Sequence, residues 1–92
     1  MRALLSGLGL LMLGVVSASA LHFPSANCEE LWWERNNVYK QRGYCFKTAR
    51  AIQAFGNAGC QYDAIEAVPL SKMDHDLVAE IQMWERRNRC PR

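Results

Sequence analysis

The sequence is poor in the residues from which most sites are built. It has only two histidines, His22 and His75, and its four cysteines include no Cys-x-x-Cys pair. A structural zinc site draws on closely spaced thiolates and imidazoles, so this spacing argues against a metal. Nothing in the composition calls for a cofactor. There is no internal repeat, no low-complexity tract and no second domain, and 92 residues allow one small domain. No acidic residue lies between Arg35 and Tyr62. The formal net charge is only +2 and falls by one when Arg2 is removed with a leader. A nucleic-acid binder carries a concentrated basic excess, which this chain lacks.

What is present first is a leader. Arg2 supplies a basic start, Ala3 to Val16 is apolar apart from Ser6 and glycines, and Ala18-Ser19-Ala20 is a small-residue cleavage site. The pattern expects a signal peptide over 1–20, removed after Ala20. The rival is an uncleaved anchor, but the apolar run is short against the roughly 20 residues of a bilayer span. No basic stop-transfer flank follows it. A lipoprotein is disfavoured, because Ser25-Ala26-Asn27 before Cys28 is too polar for a lipidation box. No membrane span is expected after cleavage. Residues 21–27 read as a short, poorly ordered lead-in with Pro24.

All four cysteines (Cys28, Cys45, Cys60, Cys90) lie beyond the leader. An even count in a small exported chain reads as a disulfide framework. Helical signals divide the rest of the chain. Asn27 with Glu30 forms a capping-box pattern, and Gly43 follows Arg42, which predicts a helix over 28–42. Cys28, Leu31, Trp32, Arg35, Val38 and Tyr39 share one face of it. Tyr44-Cys45-Phe46 reads as a short extended piece. Thr48 caps a helix over 49–55, with Ala51, Ile52 and Phe55 inward, and Gly56 to Gly59 stops it. Residues 60–69 read as a loop anchored by Tyr62 and Val68. Ser71 with Asp74 starts a last helix over 72–88, with Leu77, Val78, Ile81, Trp84, Glu85 and Asn88 inward. Pro91 after Cys90 cannot continue it. The fold class is all-α: a small disulfide-stabilised domain of three helices over 28–90.

Charge decides how the long helices meet. Each is acidic at its start and basic at its end, as the helix macrodipole favours. Placed antiparallel, they match acid to base at both ends; placed parallel, like charges meet. Antiparallel packing also sets Cys28 beside Cys90 and leaves Cys45 for Cys60. Of three connectivities open to four cysteines, this order favours 28–90 with 45–60. The same geometry points Arg35 at Glu85, with Asn36 and Asn88 expected to complete the hydrogen bonds. The alternative leaves Arg35 along the domain edge with its head in water.

With these residues in hand, the chain resembles the YARHG domain family, small extracytoplasmic bacterial modules. The residues that carry the likeness are Arg35, Asn36, Tyr39, Gly43, Tyr44 and Phe46, followed by Phe55, Glu85 and Asn88. The likeness covers about Cys28 to Cys90. It departs at Lys40-Gln41-Arg42, which stand where the family's name-giving form has Ala-Arg-His, so nothing resting on that histidine carries over. The four cysteines mark a disulfide-bearing branch. The resemblance implies export, an envelope setting and no established reaction.

No catalytic set stands out. Ser25 and Ser71 sit where capping explains them. His75 lies between Asp74 and Asp76 near a helix start, where a solvated histidine is the simpler reading than a general base. Oxidised cysteines are not nucleophiles, so the chain is read as no enzyme. Binding has better material. Trp33 lies on the side of the first helix away from Leu31, Val38 and Tyr39, near Asn37 and Lys40, and suits a sugar or peptide contact. The plainer reading packs it on the 60–69 loop. Lys40, Arg42, Lys47 and Arg50 offer a basic patch for an anionic polymer or acidic partner. The plainer reading pairs them with the last helix and the loop before it. Two functions follow for a periplasmic or secreted domain. One is a binding or adaptor module for an envelope protein or cell-wall polymer. The other is a small regulator or inhibitor of an envelope enzyme.

Overall fold

Two side chains that close on their own helix starts define the frame. Asn27 Oδ1 accepts from the Glu30 N–H at 2.8 Å, and Glu30 answers through Oε1 to the Asn27 N–H at 2.9 Å. Ser71 and Asp74 repeat the exchange at 3.0 Å in both directions. Each box satisfies two backbone donors that the first helical turn would leave without acceptors. The computed structural model describes residues 22–91. Within them the helices are α1 (Cys28–Gln41), α2 (Ala49–Phe55) and α3 (Lys72–Arg87). The expected signal peptide, 1–20, lies outside the described residues. No strand forms among the described residues, only an isolated parallel bridge between Tyr44 and Tyr62. The fold is all-α.

Gly43 ends α1 at φ +91°, where its N–H donates to the Lys40 carbonyl and the Tyr44 N–H to that of Tyr39. These two bonds satisfy carbonyls that the helix end leaves open. The site also needs a bare Cα. A Cβ there would lie 3.3 Å from the Tyr62 ring, and the Gly43 carbonyl accepts from the N–H groups of Gln61 and Tyr62. Close approach of the 60–69 segment and the left-handed turn thus fall on one glycine.

α1 and α3 lie antiparallel and share the largest interface; α2 touches α1. Disulfide Cys28–Cys90 joins the start of α1 to the residues just past α3. Cys45–Cys60 brackets α2. The first bridge spans 62 residues and the second 15. In the chain-entropy account they stabilise by about 4 and about 3 kcal/mol. For a domain of this size these terms rival what the core supplies.

The core sits between α1 and α3. Leu31 and Ile81 are 0% exposed and meet Ala26, with Phe23, Leu77, Trp84 and Cys90 around them. Burying each large aliphatic chain contributes about 1.5–3 kcal/mol. Two expectations are corrected here. The lead-in is ordered: Phe23–Ser25 forms a 3-10 turn, and Ala26 is buried. Phe23 packs against the core, and Asn88 Nδ2 reaches the Ala26 carbonyl at 3.4 Å. Ile52 does not face inward; it is 41% exposed. α2 has seven residues and only one side against α1, so Ala51 is buried and Ile52 is not. The 60–69 segment remains a loop with one 3-10 turn, Ile65–Ala67, and Val68 buried.

Candidate functional site

The cation on the inner face of α1 has the partner the register demands. Arg35 donates from Nε to Glu85 Oε1 at 2.8 Å and from Nη2 to Oε2 at 3.0 Å. This two-point contact fits the planar guanidinium to the planar carboxylate. Asn36 and Asn88 do not complete it. Asn36 Nδ2 donates to the Trp32 carbonyl one turn back, and Asn88 caps the lead-in at Ala26. Both amides are drawn to nearer backbone acceptors.

Trp33 heads an aromatic row. Its ring lies 5.0 Å from Phe55, with Trp32 6.0 Å from the same ring. The row continues through Phe46, Tyr44 and Tyr39 at centroid distances of 5.3, 5.2 and 6.0 Å. Phe46 and Phe55 stack, and the other pairs meet tilted or edge-on, as rings at such spacings prefer. Burial pushes the Tyr39 phenol above its usual range, with the nearby Arg35 charge working against that rise. Trp33 itself remains 42% exposed. It packs on α2, through Phe55 at the end of that helix. Trp33 and Phe55 thus meet on the α1–α2 side, and α2 also leaves Ile52 exposed.

The four candidate cations Lys40, Arg42, Lys47 and Arg50 are each engaged. Arg42 Nε meets Asp74 Oδ2 at 2.7 Å, and Lys47 Nζ meets Asp63 Oδ1 at 3.0 Å. Arg50 pairs with Glu29 and lies 3.8 Å over the Trp32 ring. Lys40 Nζ donates to the Gly56 carbonyl at the end of α2 at 3.3 Å. Three of the four charges therefore face a carboxylate, and their joint field is weak. Exposed pairs of this kind contribute roughly 0–1 kcal/mol each.

Asp74 carries the clearest electrostatic effect. The Ser71 N–H, then the Arg42 side chain, hold its carboxyl below the usual carboxylate range. This is what a capping carboxylate at a helix start should show. His75 is exposed in the same turn. Among the described residues no group of His, Cys, Asp and Glu is arranged to hold a metal, and no helix is long and apolar enough to cross a membrane.

One structural residue escaped the sequence. Asn57 Oδ1 accepts from the Phe46 N–H at 2.7 Å, and its Nδ2 donates to the Phe46 carbonyl at 3.0 Å. One amide thus replaces a neighbouring strand. As part of a Gly-Asn-Ala-Gly stop, Asn57 gave no sign of this role.

A family model described as YARHG domain matches residues 12–86. The match begins inside the expected leader and ends before Cys90. No curated protein and no solved structure matches. The family is of an extracellular or envelope type without a settled function, and two disulfides with no free cysteine among the described residues fit that setting.

Proposed function

The chain belongs to the YARHG domain family, and on that premise we propose that it is an exported, non-catalytic binding or adaptor module. Its setting is the periplasm or the secreted fraction, and its partner is a cell-wall polymer or an envelope protein. The observation that carries this reading is Trp33, 42% exposed and held in a tilted ring contact with Phe55. A large aromatic face left open on a rigid support supplies contact area at little entropic cost. Rigidity comes from the disulfides at both ends of the domain.

The experiment is retention on purified cell-wall sacculi. The disulfide-bonded protein should be retained, and Trp33→Ala should weaken retention roughly thirtyfold if the indole is a hot spot. Loss of retention by the wild-type protein, with a single envelope enzyme co-purifying and inhibited, would replace the polymer reading with that of a small regulator. A hydrolytic activity that disappears in His75→Ala would overturn the non-catalytic reading.

A further inference from the structure

A groove of about 430 Å³ opens beside the Arg35–Glu85 pair, on ground that neither Trp33 nor Phe55 lines. Its walls are Arg35, Gln82, Glu85, Arg86, Cys90 and Pro91. A smaller cleft of about 110 Å³ shares Glu85, Cys90 and Pro91 and reaches Trp32 under Arg50.

The chemistry of these walls is unevenly satisfied. Glu85 engages Nε and Nη2 of Arg35, which leaves Nη1 outside the pair. Arg86 is exposed at the groove and has no ion pair among the described residues. Gln82 adds an exposed amide one turn from Arg86. Arg35, Arg86 and Glu85 together leave one positive charge. That balance suits a singly charged planar anion. A phosphate dianion would meet the Glu85 carboxylate at close range without enough compensating charge. Guanidinium groups also match a carboxylate in shape, as the pair itself demonstrates. The disulfide and Pro91 supply an apolar edge, and the smaller cleft gives room for the chain that bears the anion.

We propose that this groove binds a peptide carboxylate, with Arg86 and the spare edge of Arg35 as donors and Gln82 as a neutral contact. The site does not depend on the Trp33 reading, and either can fail alone.

The test is a nitrogen-15 NMR titration of the full, oxidised protein. The probes are N-acetyl-alanyl-alanine with a free carboxylate, its C-terminal amide, N-acetyl-glutamic acid α-amide and inorganic phosphate. Both carboxylate probes should shift the backbone signals of Gln82, Arg86 and Cys90; the tighter one identifies a chain terminus or an acidic side chain as the source. The neutral amide should leave those signals in place. Arg86→Gln, at an exposed position that folding does not need, should weaken binding about tenfold, as loss of a charge-assisted hydrogen bond does. Trp33→Ala should leave the shifts intact. Equal shifts from the amide, phosphate binding as tight as the carboxylates, an unchanged affinity in Arg86→Gln, or no shift up to the probes' solubility would each overturn the proposal.

Discussion

Arg35 and Glu85, fifty residues apart, share two hydrogen bonds of 2.8 and 3.0 Å across the seam between α1 and α3. The pair lies between two other ties. Cys28–Cys90 closes one end of the seam, and Arg42–Asp74 closes the other. Covalent, buried-edge and surface ties follow one antiparallel register, so each holds the geometry that the next requires.

Removing Arg35 should therefore cost more than its partial exposure suggests. The two side chains keep 25% and 13% of their surfaces, so solvent screens the pair in part. Stranding a buried carboxylate costs about 3–5 kcal/mol. With screening, Arg35→Ala is expected near the lower bound, as a clear drop in melting temperature. Arg86→Ala, at an exposed position next to Glu85 near the end of α3, should shift it little. Equal shifts for the two variants would show that the pair adds nothing.

Asn57→Ala tests the amide that stands in for a strand. It removes both bonds to Phe46, whose side chain is buried and whose backbone is half-enclosed. Leaving such groups without partners costs about 1–3 kcal/mol. Denaturant unfolding should show that loss, and amide exchange at Phe46 should accelerate. Unchanged protection at Phe46 would refute the assignment.

Arg89→Gly should stabilise the domain. Arg89 sits at φ +55°, just past α3, with its N–H on the Arg86 carbonyl and the Cys90 N–H on that of Glu85. This is the same double-bonded helix end that Gly43 provides for α1, with a side chain where glycine is preferred. Relieving the strain should raise stability by about 0.5–1 kcal/mol, read as a higher urea midpoint. A lower midpoint would show that the arginine side chain contributes more than the backbone loses.

Asp74 sets a pH dependence whose sign follows from its lowered folded value. As pH falls, the unfolded chain takes up the proton first, near the ordinary carboxyl value of about 3.9. The capping contribution is thus complete above that pH and is lost as pH falls through the folded value. Asp74→Asn should flatten the decline of stability over this acid range. An identical decline in the variant would assign the acid sensitivity to other carboxylates.

Much of the fold was legible because its signals are local. The caps at Asn27, Thr48 and Ser71 and the stop at Gly43 act through bonds spanning three to five residues, and all appear where the spacing places them. The charge order along α1 and α3 added the antiparallel arrangement, and that arrangement selected both disulfides and the Arg35–Glu85 pair. The candidate site was less legible. Trp33 could be placed off the core face, but its support by Phe55 depended on where α2 came to rest.

The sequence alone determined where each helix begins, where each stops to within a residue, the paired cysteines that suit an oxidising compartment, and the direction in which the long helices run. Tertiary structure decided the rest. It sent Lys40 to Gly56, Arg42 to Asp74, Lys47 to Asp63 and Arg50 to Glu29, left Ile52 outside, and docked the lead-in on the core. Caps and stops are settled within one helical turn, whereas a side chain's partner across 16 to 32 residues depends on which surfaces packing has already brought together.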